Sequence, residues 1–353
     1  MMQVYLTACA GSDAAARAME RIKLYGTVRN PYERVGHGYA AVCGAAGREG
    51  MIDECEALVA IATDNEAASA EVFYALHKRR IPALCLAPHG SNIPMLTDND
   101  HPLLTYAEYS TLAEAEALID SFLAPPSEPG RIFVVEGGDG AGKQTQSAML
   151  RERLAREGYP VKTMDFPQDG AMHGKLIRTL LSGAMGDISQ VNPLLFASLY
   201  AQNRYDVSPI LLHWIRRGNN VILDRYVEAN YGHQASKLPP AERPALIDAL
   251  STFEHEWLGV PRAHRVVYLD LPPREALRAL ANDSTRAALD MHETAGADYK
   301  EAVRDTFVYC SERNTEVWHR IMCVTEDGTR VTKEKLGETL YQKLANEFVN
   351  KGA

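Results

Sequence analysis

Short apolar runs alternate along this chain with longer stretches whose apolar residues recur at helical spacing. Val4-Tyr5-Leu6, Ala57–Ile61 and Ala83–Leu86 read as short buried strands. The spacing predicts helices over Ala14–Leu24, Ala67–Lys78 and Thr111–Leu123, the last with Leu112, Ala115, Leu118, Ile119 and Phe122 on one face. The alternation resumes further on, with strands expected at 131–136, 161–165, 220–224, 265–270 and 319–325 and helical stretches between them. Such a pattern implies parallel sheets covered by helices on both faces, with ligands at the carboxyl ends of the strands. One segment interrupts it. Ala124-Pro125-Pro126-Ser127-Glu128-Pro129-Gly130 holds three prolines and a glycine, which can continue neither a helix nor a central strand. The expectation is a smaller flavodoxin- or Rossmann-like α/β domain over 1–123, a linker over 124–130, and a larger three-layer α/β domain over 131–353.

Composition narrows the function classes. A chain of 353 residues, 46% hydrophobic and 24% charged, is that of an ordinary globular protein of two domains. The net charge of −9 is uneven: residues 1–128 carry 9 Lys+Arg against 17 Asp+Glu, and the remainder 28 against 29. Neither half offers the basic surface that a nucleic-acid backbone requires, so no nucleic-acid partner is expected. The six cysteines (Cys9, Cys43, Cys55, Cys85, Cys310, Cys323) form no CxxC pair and read as reduced, buried thiols. No apolar stretch reaches the roughly 18 residues that span a bilayer, and no basic-then-apolar leader opens the chain. A cytoplasmic protein without a membrane partner is expected.

The strand Ile132–Glu136 runs into Gly137-Gly138-Asp139-Gly140-Ala141-Gly142-Lys143-Gln144-Thr145. A helix follows, with Leu150 and Leu154 one turn apart and a stop at Gly158. This is the strand–GxxxxGK–helix context of an ATP phosphate loop. Its glycines admit backbone angles that turn successive N–H groups inward as an anion nest. The helix start adds the positive end of its dipole. Lys143 supplies a mobile cation for the β- and γ-phosphates. Where the motif usually carries a Ser or Thr for Mg²⁺, this chain has Gln144, with Thr145 next. The glutamine amide oxygen can serve Mg²⁺ directly or through water.

Four further elements follow in order. They are Phe166-Pro167 after the strand Val161–Asp165, Tyr200-Ala201-Gln202-Asn203-Arg204, Asp224-Arg225-Tyr226 with Asn230, His233 and Gln234 beyond it, and Leu289-Asp290-Met291-His292-Glu293. With the phosphate loop and its internal acid Asp139, they make residues 131–350 resemble the thymidylate kinases. The resemblance implies a P-loop nucleoside monophosphate kinase fold, ATP- and Mg²⁺-dependent phosphorylation of dTMP to dTDP, and a homodimer.

It also implies roles. Arg225 would grip the dianionic acceptor phosphate with its planar fork. Asp224 would orient Mg²⁺ through water. Tyr200 would stack on thymine, Arg204 one helical turn on would donate to its carbonyl, and Phe166 would close the other side. Asn230 resembles the residue at the pyrimidine edge, with Gln234 beside it, and Asp139 would accept from the sugar 3′-OH. His233 stands where the family often has a tyrosine packed under C2′. The phosphate loop carries Gly140-Ala141 and no arginine, so a lid over the site is expected to supply one. Arg286 is the only arginine between Ala281 and Glu293. Ser284 stands where a second lid arginine would be, and Gln168-Asp169 where an arginine can follow the Phe-Pro pair. Without the resemblance, Asp224-Arg225 could be a surface ion pair, Tyr200 a core aromatic and His233 a surface histidine. A P-loop ATPase or GTPase switch is the rival class, but it gives no role to Tyr200, Arg204 and Arg225 together. dUMP or another monophosphate stays open as acceptor.

Earlier in the chain, Cys55-Glu56-Ala57-Leu58-Val59-Ala60 is a strand with a preceding acid. Asn65 to Glu71 follows, then the helix Val72–Lys78 and the strand Ala83–Leu86. On these, residues 3–123 resemble the nucleoside 2-deoxyribosyltransferase and deoxynucleoside-monophosphate N-glycosidase superfamily. The resemblance implies that Glu71, in the loop before the helix, is a carboxylate nucleophile toward the sugar C1′. The first loop, Thr7-Ala8-Cys9-Ala10-Gly11-Ser12, lacks that family's arginine, and its second carboxylate has only Glu49 or Asp53 nearby. Two readings stand: a retained fold used for dimerisation or regulation, or an N-glycosidase that makes the protein bifunctional.

Overall fold

The computed structural model describes residues 2–8, 13–30, 32–35, 38–41, 45–62, 66–91, 93–97, 99–186, 191–275 and 297–351. The chain divides into two compact units, Met1–Pro125 and Pro126–Ala353.

In chain order, the N-terminal unit is built from β1 (Met2–Ala8), α1 (Asp13–Ile22), β2 (Gly26–Arg29), a hairpin of β3 (Tyr32–Val35) and β4 (Gly38–Ala41), and α2 (Ala45–Asp53). Then come β5 (Ala57–Ile61), α3 (Glu66–Tyr74), β6 (Ala83–Pro88), α4 (Pro94–Thr97), β7 (Leu104–Tyr109) and α5 (Leu112–Leu123). Five strands form a parallel sheet in the order β2-β1-β5-β6-β7. Along β1 the side chains alternate. Val4, Leu6 and Ala8 enter a core with Ala14, Ala18 and Ile22 of α1 and Ala115, Ile119 and Leu123 of α5. Tyr5 and Thr7 take the opposite face. The edge strands β2 and β7 were not foreseen, because edges carry fewer apolar residues; β7 reads Leu-Thr-Tyr-Ala-Glu-Tyr. The order of strand addition reverses at β1, with β2 on one side and β5 on the other, and α/β sheets bind ligands at the carboxyl ends beside such a switch point.

The C-terminal unit runs β8 (Arg131–Gly137), α6 (Lys143–Arg156), β9 (Val161–Asp165), α7 (Met172–Leu181), α8 (Pro193–Arg216) and β10 (Asn220–Asp224). It continues with α9 (Val227–Ala235), α10 (Arg243–Ser251), β11 (Arg265–Asp270), α11 (Ala297–Arg313), β12 (Trp318–Met322) and α12 (Lys333–Leu344). All five strands are parallel, in the order β12-β11-β8-β10-β9. The central strand β8 is apolar from Ile132 to Val135 because both its faces are covered. Ile132 and Val134 pack with Phe166, Ala197, Val227 and Phe307 on one side. Phe133 and Val135 pack with Leu150, Leu154, Leu336 and Leu340 on the other. Three layers result, a P-loop α/β fold with its phosphate loop at the end of the middle strand.

Cys55, Cys85, Cys310 and Cys323 are free and buried; Cys9 and Cys43 lie outside the described residues. Burial pushes the Cys85, Cys310 and Cys323 thiols up to about 12, which keeps them protonated and inert. Among the described residues no helix is long and apolar enough to cross a membrane.

Glu228, a buried acid, is expected to make the stability of the second unit depend on pH. Glu228 of α9 is 5% exposed, and its Oε2 has no hydrogen-bond partner. Burial, reinforced by Glu136 and Glu254, pushes its carboxyl up to about 8 from an ordinary 4.5. Between those values the folded protein keeps a proton that the unfolded chain has lost, so stability declines as pH rises through that window. Glu228→Gln should therefore gain on the parent as pH goes from 5 to 9, by up to about 4 kcal/mol. Urea unfolding at pH 5, 7 and 9 measures this, and a pH-independent difference would refute it.

Candidate active site

The phosphate loop leaves β8 at Gly137-Gly138 and closes on itself. Gly140 and Gly142 have φ of 75° and 92°, the left-handed region that side chains rarely enter. The Ala141 N–H donates to the Gly138 carbonyl at 3.3 Å, and the Lys143 Nζ donates to the same carbonyl at 3.0 Å. Lys143 begins α6 and is buried. Burial, with help from Arg225, lowers its ammonium to about 8, while Asp139 and Glu136 pull the other way. Gln144 and Thr145 are exposed on the first turn.

A second loop leaves the adjacent strand β10 at Asp224-Arg225. Arg225 has a φ of 66° and donates its backbone N–H to Val135 of β8 at 3.2 Å. Its Nη2 donates to Asp139 Oδ1 at 2.7 Å and its Nη1 to His233 Nε2 at 2.9 Å. Burial would raise the Asp139 carboxyl, but Arg225 and Lys143 outweigh it and hold the carboxyl well below the usual range. Asp224 is half-buried, and its carboxyl is raised by burial against the opposing pull of Lys143 and Arg225.

Asp139, Arg225 and His233 border a cavity of about 210 Å³. Asp139, Phe166, Tyr200 and Arg204 line it together with Arg225, Asn230, His233 and Gln234. Phe166 rests against the Tyr226 ring, with centroids 5.4 Å apart. Tyr200 meets Phe196 edge-on at 5.3 Å. Arg204 is 1% exposed, and Glu254 beside it is fully buried. The Arg204 Nε and Nη2 donate to the two Glu254 oxygens at 2.5 and 2.7 Å, and Nη1 donates to the Tyr226 carbonyl at 3.1 Å. Asn230 donates from Nδ2 to the Ala197 carbonyl at 3.2 Å and to Glu254 Oε1 at 2.8 Å. Both its N–H groups are thereby used, and its Oδ1 remains as an acceptor.

Several residues here escape a reading of the sequence. Glu254 lies 50 positions from Arg204, with no spacing to link them. Asn203 is fully buried and clamps the turn after Phe166-Pro167. Its Oδ1 accepts from the Gln168 N–H at 2.7 Å, and its Nδ2 donates to the Gln168 carbonyl at 3.0 Å. The signal for it was the polar run Gln202-Asn203-Arg204 after the largely apolar start of α8. Arg178 of α7 also lines the cavity, with its Nε 2.8 Å from Asp169 Oδ1. Arg330, before α12, donates to the Gly140 carbonyl of the phosphate loop. Arg286, Ser284 and Leu289–Glu293 lie outside the described residues.

Among the described residues no three His, Cys, Asp or Glu side chains gather into a metal cage. Mg²⁺ does not need one, since one or two protein oxygens complete an octahedron of phosphate oxygens and water. Asp224, at the end of β10 and near Asp165 and Lys143, offers such an oxygen.

Glu71 requires a correction. It does not precede a helix but lies inside α3, which the alanines of Glu66-Ala-Ala-Ser-Ala extend upstream. It is buried, with Arg48 Nε of α2 2.6 Å from its Oε1. Burial raises its carboxyl, opposed by the Thr7 and Tyr5 hydroxyls and by Arg48. Glu49 is exposed, and Asp53 is engaged by Tyr74 and Arg79.

The Arg204–Glu254 pair can be tested directly. Removing one partner of a buried ion pair leaves the other uncompensated. Glu254→Ala should destabilise the protein by about 3–5 kcal/mol in chemical denaturation. A loss below about 1 kcal/mol, the size expected of an exposed pair, would mean that Arg204 finds water or another partner.

The chain matches the thymidylate kinase family model over residues 135–326. It is 34% identical over 182 residues to the thymidylate kinase of Clavibacter sepedonicus, covering 51% of this chain and 80% of that one. It is 33% identical over 183 residues to that of Cutibacterium acnes, covering 51% and 82%. To the probable thymidylate kinase of Thermococcus onnurineus it is 32% identical over 190 residues, covering 52% and 86%. With a phosphate loop and an arginine-lined cavity joined through Arg225 and Asp139, and with this match across its C-terminal unit, the chain belongs to the thymidylate kinase family.

Proposed function

We propose that the C-terminal unit transfers the γ-phosphate of ATP to dTMP, giving dTDP. The observation that carries this reading is the pair of groups in the cavity wall. Arg204 spends three of its five N–H groups on Glu254 and Tyr226 and keeps two. Asn230 keeps only an oxygen. A donor beside an acceptor complements the thymine edge, whose O4 accepts and whose N3–H donates. Cytosine presents a donor amino group and a bare N3, the reverse set. Phe166 and Tyr200 supply the apolar walls for the base.

Arg225 grips the acceptor phosphate, and the second oxygen of Asp139 accepts from the sugar 3′-OH. The Gly137–Thr145 loop and Lys143 hold the ATP phosphates. When bound, Mg²⁺ neutralises charge on the transferring group; Asp224 and Gln144 would hold it, directly or through water. Arg286 supplies the remaining cation. The chain acts as a homodimer, a reading supported by exposed Met172, Leu176, Leu194, Leu195 and Tyr205 on α7 and α8.

Assaying ADP release with Mg·ATP and each nucleoside monophosphate tests the acceptor. dTMP should exceed dCMP in kcat/KM by at least about tenfold. dUMP, which shares the thymine edge, is the other acceptor to measure. Equal use of dCMP and dTMP would sink the assignment.

A second reading concerns the N-terminal unit. Glu71 is buried with Arg48, Tyr5 and Thr7 beside the strand β1 that flanks the sheet's switch point, and this favours a deoxyribosyltransferase-like site there. On this reading the full chain releases free base from a deoxynucleoside 5′-phosphate, and Glu71→Ala abolishes the release while kinase activity persists. Chromatography of the products separates the cases. Absence of free base with every deoxynucleotide would leave the unit a role in assembly.

A further inference from the structure

The histidine beside the acceptor site is bound on both ring nitrogens. Arg225 Nη1 lies 2.9 Å from His233 Nε2, and a guanidinium can only donate. Nε2 must therefore present its lone pair, so the ring proton sits on Nδ1. That nitrogen lies 3.1 Å from the Tyr299 hydroxyl and donates to it. The Tyr299 proton in turn points to the His233 backbone carbonyl, 3.4 Å away. The first two directions follow from a guanidinium that can only donate, and the third from a carbonyl that can only accept.

The ring is also seated mechanically. Phe307 lies against the backbone of α9 so closely that a Cβ on Gly232 would stand 2.2 Å from its Cζ. The Phe307 and His233 rings meet edge-on, at 6.1 Å and 87°. Tyr299 and Phe307 both belong to α11, so one helix seats the ring and accepts its Nδ1 proton. The same histidine and tyrosine line a small pocket with Gly138 and Asp139 of the phosphate loop.

We propose that His233 and Tyr299 are positioning residues that hold Arg225 at the acceptor phosphate, with α11 as their support. Arg225 has five N–H donors. Asp139 of the phosphate loop and His233 of α9 take two, leaving three for a phosphate approaching through the cavity. Without the histidine acceptor, the guanidinium would pivot about Asp139 alone. The inference rests on Arg225 being the acceptor-phosphate ligand.

Two measurements test it. His233→Phe keeps a ring but removes the acceptor, whereas His233→Gln can offer an amide oxygen in its place. The phenylalanine variant should raise the dTMP KM by about tenfold or more, with the ATP KM unchanged, and glutamine should recover most of the loss. Added to Arg225→Ala, His233→Phe should cost little more, because both act through one guanidinium. Multiplying effects, or a glutamine variant as poor as phenylalanine, would overturn the proposal. The second measurement needs no activity. The ¹⁵N spectrum of the full-length protein, with the His233 signals identified by their loss in His233→Gln, should show a neutral ring protonated on Nδ1. A ring protonated on Nε2 would overturn the relay. If the wild-type chain does not phosphorylate dTMP, the substrate reading fails, and the spectrum alone decides the relay.

Discussion

The Arg225 guanidinium ties together two loops that leave neighbouring strands, and the site is organised around that tie. Parallel strands end with their carbonyls and loops at one edge of the sheet, so β8 and β10 deliver the phosphate loop and the Asp224-Arg225 turn side by side. Both enter left-handed backbone to do so, at Gly140, Gly142 and Arg225. For Arg225 that conformation is unfavourable on its own. The charge pair with Asp139, the hydrogen bond to His233 and the backbone bond to Val135 together hold it there. The result is a cation fixed between the place where a nucleotide's phosphates would lie and the cavity beside it.

Behind this cation lies a layer of buried charge with little apolar justification. Arg204 and Glu254 are withdrawn from water almost completely, and the desolvation of both charges offsets much of their attraction. Their hydrogen bonds are directional. They orient Arg204 and Asn230 at once, since Glu254 Oε1 accepts from both. Glu228 and Glu136 share the same interior, and burial favours their neutral forms. A site that discriminates one base edge from another needs polar groups held without freedom to reorient, and a low-dielectric setting holds them.

The N-terminal unit presents a different balance. It carries most of the chain's net negative charge, yet Glu71, its one well-buried carboxylate among the described residues, is matched by a guanidinium from a neighbouring helix. Arg48 reaches Glu71 across α2 and α3, while Tyr5 and Thr7 approach from the sheet. A buried acid so supported is stable as a structural feature, and the same support would orient it for chemistry. Both roles require the carboxylate to be desolvated and fixed.

Contiguous residues with a physical mechanism could be read from the sequence alone. Ile132–Glu136 is uniformly apolar up to its last residue, as a strand covered on both faces must be, and GxxxxGK follows it because backbone N–H groups can converge on phosphate only with glycine there. Helices with a clear apolar stripe, such as Leu112–Leu123, were legible for the same reason. The edge strands β2 and β7 were not, since a half-solvated strand carries a weak pattern. Arg204 could be placed on a helix by its spacing from Tyr200, but not its partner Glu254. Nor could sequence place Tyr299 on His233 or Arg48 on Glu71. Each of these contacts joins elements separated by loops whose paths only packing decides. Local patterns determine which residues share a face; the tertiary structure determines which faces meet, and a buried charge or a histidine proton takes its state from that meeting.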